Sequence, residues 1–382
     1  MTRIAVIGRG LMGSAAAKYL AEMGHDVLLI GPDEPVDKRT HQGVFASHYD
    51  EGRITRRLAT DAFWSTVSSA SIARYRDIEA ASGIPFYTPC GAMMAGPADH
   101  AFTNAAAEVR QALGIDSRDL NGEDLAEAFP FFAFPTGTRA FHEVTGGHIS
   151  PRALVRAQTR IAEAFGATLV PEVATAIAET TTGVTITTAS DLYTVENALI
   201  ATGAMTDHLA PQTLGQRVYA RTVAFFEVTE DQAALLAAMP TLVFRRDDLA
   251  GEPYLLPPIR YPDGRWHLKL GGDPVDRMAT TADQIADWFR SGGDADVRDH
   301  LAALIHRLMP DLQVEATTME ACVTTFTPSG YPAIDRLTDR IAVASGGNGA
   351  GAKCSDELGR IAAHVTAGLD HPNPLTRLPK ET

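Results

Sequence analysis

Six residues near the start, Gly8-Arg9-Gly10-Leu11-Met12-Gly13, join a short apolar run at 3–8 to an Ala-rich segment at 11–23 whose Leu11, Ala15 and Leu20 share one stripe. Gly24 follows as a helix stop, and Asp26 to Ile30 reads as a second buried strand. A G-x-G-x-x-G between strand and helix, with a second strand after it, favours a βαβ unit that receives a dinucleotide over a glycine-rich turn of no function. Gly8 permits the tight turn, Gly10 lets the backbone approach a pyrophosphate, and Gly13 lets the helix pack closely on its strand. The free amides at the helix start face the phosphates.

Such units usually end their second strand on an acid that holds ribose hydroxyls, but here Gly31 stands in that place. Two readings stay open. Lys38 and Arg39 could receive a 2′-phosphate, which would mean NADP, or Asp33 or Glu34 could reach the ribose from just beyond the strand.

Further along, Ser150 to Phe165 reads as a helix with a Ser N-cap and Pro at its first position. The runs at 168–170, 183–187 and 197–200 read as strands, and the last closes on Ala201-Thr202-Gly203-Ala204, a recurring feature of flavoprotein dinucleotide domains. A final buried strand at 340–345 leads into Gly346-Gly347-Asn348-Gly349-Ala350-Gly351, before a helix expected from about Ser355. Glycines this dense, Gly349 and Gly351 among them, point to a second close approach of backbone to ligand. The expected fold class is α/β (α+β). A discontinuous Rossmann-like domain occupies 1–85, 146–220 and 321–382, and an interleaved mixed-sheet substrate domain occupies 86–145 and 221–320, with helices near 283–291 and 296–308.

Composition excludes several classes. The 382 residues carry 47 Asp+Glu against 33 Lys+Arg, a formal net charge of −14, so the basic footprint of a nucleic-acid binder is lacking. No window approaches the ~18–20 apolar residues of a membrane helix, and the opening residues lack a signal-peptide layout. Cys90, Cys322 and Cys354 are too few and scattered for a disulfide framework or zinc site, and His48, His148 and His267 suggest no metal. The expectation is a cytoplasmic protein with no membrane or nucleic-acid partner and no metal.

The chain resembles the monomeric sarcosine oxidase and N-methyltryptophan oxidase family, amine-oxidising flavoenzymes of the D-amino-acid oxidase superfamily. The likeness spans nearly the whole length. It rests on the order of G-R-G-L-M-G at 8–13, S-H-Y-D-E-G-R-I-T-R at 47–56, G-G-H-I-S-P at 146–151, A-T-G-A at 201–204, L-K-L-G at 268–271, C-V-T-T-F-T-P at 322–328 and G-N-G-A-G-A-K at 347–353. The resemblance implies FAD. It places Ser47, His48, Arg53 and Ile54 along the flavin and Val173 near the adenine. It gives Arg56 and Lys353 a substrate carboxylate, puts Tyr254 at the pocket wall, and sets Lys269 beside the flavin as the cation that promotes reaction with O2. Cys322 is the implied point of covalent attachment. It also implies a monomer, and a substrate bound as the free amine, whose nitrogen lone pair drives loss of the α C–H hydrogen to the flavin.

Departures from the family pattern fall mainly on the substrate side. Asp273 stands where the family has His, Thr324 where it has an aromatic hydroxyl, and Gly347 and Ala350 where its glycine loop has Phe and His. The implied substrate is therefore a small secondary amine other than sarcosine, an N-alkyl (N-methyl) amino acid, oxidised to an imine that hydrolyses while O2 becomes H2O2. Lys269, Arg53, Tyr254 and Asp273 are the expected catalytic residues, with Arg56, Lys353 and Thr324 binding substrate.

Residue by residue there are plainer readings. Arg53, Arg56 and Arg57 alone read as a solvated helix face. In Trp266–Leu270 the period of two puts His267 and Lys269 on the polar side, where a lysine is ordinarily solvated. Cys322 alone is a small buried hydrophobe, as Cys90 and Cys354 are taken to be. The competing functions are an NADP-dependent dehydrogenase, a flavin-dependent dehydrogenase or demethylase with an acceptor other than O2, and a nucleotide-sensing module without chemistry.

Overall fold

A computed structural model describes residues 2–246, 248, 252–369 and 376–378. The expected βαβ unit forms at Arg3–Ile7, Leu11–Glu22 and Asp26–Ile30, and its two strands pair in parallel. Strands Asn197–Ile200, Ile341–Ser345 and Thr168–Val170 extend the parallel sheet, and Ala333–Arg336 closes one edge antiparallel. Both faces of the parallel strands are apolar because both are covered. Ile4, Val6, Val27 and Leu29 pack on helices Leu11–Glu22 and Gly351–Thr366, while Ala5, Ile7, Leu28 and Ile30 pack beneath a three-stranded antiparallel sheet that contributes Val184, Ile186 and Val195. This is the Rossmann-like half of a mixed α/β molecule. Among the described residues no helix is long and apolar enough to cross a membrane.

Gly13 shows why the first turn must be glycine. A Cβ there would stand 1.8 Å from the Gly8 carbonyl oxygen and 3.3 Å from the Ala201 Cβ, so the helix could not sit on its strand.

The second half is a nine-stranded, largely antiparallel sheet. It takes strands Ala92–Pro97, Arg118–Asn121 and Thr138–Glu143 from one stretch and strands between Arg217 and Phe326 from another. Helix Ala295–Leu308 covers its Phe226, Leu268 and Leu270. The boundaries expected at 220/221 and 320/321 fall inside strands Arg217–Val228 and Ala316–Phe326. These pair antiparallel from Arg217↔Phe326 to Glu227↔Ala316 and lie wholly in this sheet. A small sheet of Arg53–Thr55, Gly147–Ile149 and Tyr87–Thr88 accompanies the two large ones.

Two further expectations change. The last helix begins at Gly351, not near Ser355. The first turn of a helix has no intrahelical partners for its amides, so glycine there sacrifices little. Arg53 belongs to a strand, with Arg56 and Arg57 just past its end, so no helix presents the three arginines to solvent.

Asp356, fully buried in the last helix, joins four elements. Its carboxylate accepts from Lys18 Nζ (2.7 Å), Arg74 Nε (2.7 Å), the Tyr19 hydroxyl (3.0 Å) and Gln158 Nε2 (3.2 Å). Removing one member of such a cluster leaves the others charged and buried. Asp356→Ala should therefore lower the unfolding free energy by about 3–5 kcal/mol in urea titrations, and a loss below about 1 kcal/mol would refute this account.

Candidate active site

Helices Leu11–Glu22 and Gly351–Thr366 lie side by side, and the starts of both open on one cavity of about 1020 Å³. Their N-caps, Gly10 and Ala350, offer no side-chain hydrogen bond, and neither first turn contains an acid. The amides there are left for a ligand, and both ends favour negative charge. Gly8, Gly10, Ser47, His48, Arg53, Ile54, Val173, Gly203, Gly349 and Gly351 all line this cavity. So do Arg56, Tyr254, Asp273, Cys322, Thr324 and Lys353. The sequence candidates that the cavity wall omits are Gly13, Asp33 and Lys269.

Gly13 is behind the wall, holding helix to strand. Asp33 points outward, 77% exposed, and pairs with Arg9, which also donates to the Pro32 carbonyl at 3.1 Å. Glu34 is taken by a two-pronged contact with Arg152, 2.6 Å on each arm. The missing ribose acid has a steric cause: a Cβ on Gly31 would lie 2.6 Å from the Arg9 backbone nitrogen and 2.7 Å from its Cβ. Lys38 is drawn off to Glu320 at 3.1 Å and Arg39 is exposed, and neither is on the cavity wall.

Arg56 and Lys353 are the unusual cations. The Arg56 guanidinium donates to the Leu58 carbonyl and has no ion pair, and the buried Lys353 ammonium has no hydrogen bond or ion pair among the described residues. Burial, and then the Arg56 charge, pull Lys353 down to about 8, while burial holds Arg56 below the usual arginine range. Among the described residues neither cation is in an ion pair, although Glu143 and Glu252, the latter on the same wall, act on Arg56 from a distance. Two desolvated cations so placed suit an anionic group.

A second charge cluster lies behind the wall. Lys269 is 0% exposed, contrary to the solvated placement its strand period suggests, because Asp50 and Gly52 cover that face. Its ammonium donates to the Asp50 carboxylate and to the Gly52 carbonyl at 2.8 Å. Arg53 also pairs with Asp50 and reaches the Ser47 carbonyl (3.1 Å) and the Cys322 sulfur (3.5 Å). The cation beside the sulfur is therefore Arg53. Ser47 Oγ donates to the Val323 carbonyl at 3.2 Å, and His48 is pulled to about 3 by burial and by Arg152, so its ring is neutral.

At Thr324 the wall is polar. Arg221, which the sequence did not single out, donates Nε to Thr324 Oγ1 at 3.2 Å and Nη2 to Asp276 at 2.6 Å. Its signal is sheet register, since it faces Cys322 across the strand pair. Asp273 accepts from the Thr222 amide at 2.9 Å, and burial pushes it up to about 6. Tyr254, raised to about 12 by burial, has its ring 5.9 Å from the Lys269 ammonium.

A model of the family described as FAD dependent oxidoreductase matches residues 3–365. The chain belongs to that family. The monomeric sarcosine oxidase of Bacillus sp. (strain NS-129) is 25% identical over 379 residues, 95% of this chain and 92% of that one. The N-methyl-L-tryptophan oxidase of Yersinia pestis (strain Pestoides F) is 25% identical over 380 residues, covering 97% and 95%. Among solved structures, NikD, an unusual amino acid oxidase essential for nikkomycin biosynthesis, superposes with TM-score 0.76 at 20% identity, covering 96% of this chain and 94% of that one. Amadoriase I from Aspergillus fumigatus gives TM-score 0.75 at 17% identity, covering 98% and 89%. The chain is thus an FAD-dependent oxidoreductase, similar to sarcosine and N-methyltryptophan oxidases.

The cavity suits that cofactor. Two uncapped helix starts and a turn that tolerates only glycine at Gly13 are what a pyrophosphate and a second electron-rich group require. Lys353 makes this wall sensitive to pH. Charged below about 8 and neutral above it, it should bind acetate about 10-fold more weakly at pH 9 than at pH 7. Calorimetric titration should show this loss in the wild type and a flat profile in Lys353→Met, and equal pH dependence in both would refute the assignment.

Proposed function

We propose that this enzyme oxidises a small secondary amine bearing a carboxylate, an N-alkyl (N-methyl) amino acid, with O2 as acceptor. The observation that carries the reading is the pair Arg56 and Lys353, desolvated and in no ion pair among the described residues, beside the start of the last helix. FAD bound here would supply a two-electron acceptor for a hydride equivalent (a proton with two electrons) from the amine's α carbon, so that the product would be an imine that hydrolyses and O2, with two electrons and two protons, would become H2O2.

The protein supplies placement and charge. Arg56 and Lys353 hold the carboxylate, which fixes the C–H bond in a reactive orientation. Tyr254, Thr324 and Asp273 line the substrate end, where small and polar residues leave room for an amine larger than N-methylglycine. Asp273, poised at about 6, is placed to accept a proton from an incoming ammonium. Arg53 and Lys269 give the positive field that favours electron transfer to O2, and the Cys322 thiol, with Arg53 at 3.5 Å, is the atom offered for covalent attachment. The six-stranded half holds the nucleotide and the nine-stranded half faces the substrate.

The purified protein should be yellow, and an anaerobic screen of N-methyl amino acids should bleach it. Arg56→Ala should raise KM for the best acidic substrate by at least ~10-fold, about 1.4 kcal/mol. Preference for neutral amines, or an unchanged KM, would defeat the carboxylate assignment, and bleaching without H2O2 formation in air would favour another acceptor.

Acid precipitation tests the attachment. The pellet should stay yellow and a peptide containing Cys322 should carry the flavin mass. A white pellet with flavin in the supernatant would show that Cys322 is only a neighbour.

A further inference from the structure

The chain has five lysines among its 33 basic residues, and Lys18, Lys269 and Lys353 are buried. Lys18 is neutralised by Asp356 and Lys353 faces the cavity. Lys269 is different, because its partner Asp50 is shared. The Asp50 carboxylate, 7% exposed, pairs with Arg53 and Lys269 together, and also accepts from the Tyr261 hydroxyl (3.0 Å) and the amides of Glu51 (2.7 Å) and Gly52 (3.3 Å).

Among the described residues no other acid pairs with Lys269. Glu51, next in the chain, is held by Arg152 and by the Ser150 hydroxyl at 2.7 Å. Cys322 and Tyr254 also face the cluster, and His267, on the lysine's own strand, is turned to Asp263 at 3.2 Å. Without Asp50, an ammonium excluded from water would keep one carbonyl, Gly52, and a neighbouring guanidinium. That environment favours the neutral amine.

We propose that Asp50 is a positioning residue, whose carboxylate holds Lys269 as an ammonium and fixes Arg53 against Cys322, so that the charge behind the cavity wall is constant through the neutral pH range. The proposal rests on the oxidase reading above and names the group that sustains its buried cation. Burial, with Arg53 beside it, pulls the lysine well below its usual range, and Asp50 is the counterweight that keeps it charged at pH 7.

Lysine side-chain NMR tests this directly, since five lysines give five signals, and loss of one in Lys269→Met assigns it. In the wild type Lys269 should be an ammonium at pH 7. In Asp50→Asn its midpoint should fall by at least ~2 pH units, and Asp50→Glu should restore most of the shift. An unchanged midpoint in Asp50→Asn overturns the proposal, and so does a neutral Lys269 at pH 7 in the wild type, a measurement that needs no variant to fold.

The holoenzyme gives a second readout. Reoxidation of the reduced flavin by O2 should be at least ~10-fold slower in Asp50→Asn at pH 8 and recover toward pH 6. It should be no slower in the double variant with Lys269→Met than in Lys269→Met alone. Additive losses in the double variant would overturn the proposal. Expected NMR shifts together with reoxidation indifferent to Lys269→Met would instead strike at the oxidase reading and leave Asp50 as the lysine's counterweight.

Discussion

The two helices that point their starts into the cavity can do so together because they touch backbone to backbone. A Cβ on Gly359 would lie 2.3 Å from the Ala15 Cβ and 2.8 Å from the Met12 carbonyl oxygen and the Ala16 nitrogen. Any side chain there would push the helices apart and separate the two sets of free amides. The Lys18–Asp356 pair sits close by on the same two helices, so the close approach is locked electrostatically as well. One end of the cavity is built outward from this contact. The last helix brings Lys353, and the first brings the glycine turn.

Most of the remaining chemistry comes from one stretch, Ser47 to Arg56. It is largely irregular until its short strand at Arg53, and it lines the cavity with Ser47, His48, Ile54 and Arg56 while Asp50 and Arg53 belong to the buried charge cluster. Its rigidity comes from Asp50, Ser47 and Arg53, which bond to Tyr261, Val323, Gly52 and one another. A loop held this way acts as part of the scaffold.

The parallel sheet was legible in the sequence because both faces of its strands are apolar and its turns are punctuated by glycine. The Ser150-Pro151 helix start was equally legible, and the Ser150 hydroxyl does accept from the Ala153 amide. What the sequence hid was three-dimensional neighbourhood. Alternation along Trp266–Leu270 marks two faces but cannot reveal that both are covered, which is why Lys269 read as solvated. Gly31 read as a lost acid, whereas the Arg9 backbone next to it leaves no space for one. Arg221 carried no local signal because its relation to Cys322, 101 residues on, exists only in the pairing of two strands. Asp50 lay in plain view three residues before Arg53, yet only the fold brings Lys269 to it.

The cavity's titratable walls have a consequence for the form in which a ligand arrives. Asp273 ionises at about 6 and Lys353 discharges at about 8. Between those values this carboxyl and this amine are charged together, the complement of a dipolar ion. The N-alkyl amino acid proposed as substrate is such an ion in neutral water; below that interval Asp273 loses its charge, and above it, of Lys353 and Arg56, Arg56 alone keeps the cationic end. The arginines, charged throughout, do not narrow this proton window. Its two edges are drawn by one carboxyl and one amine.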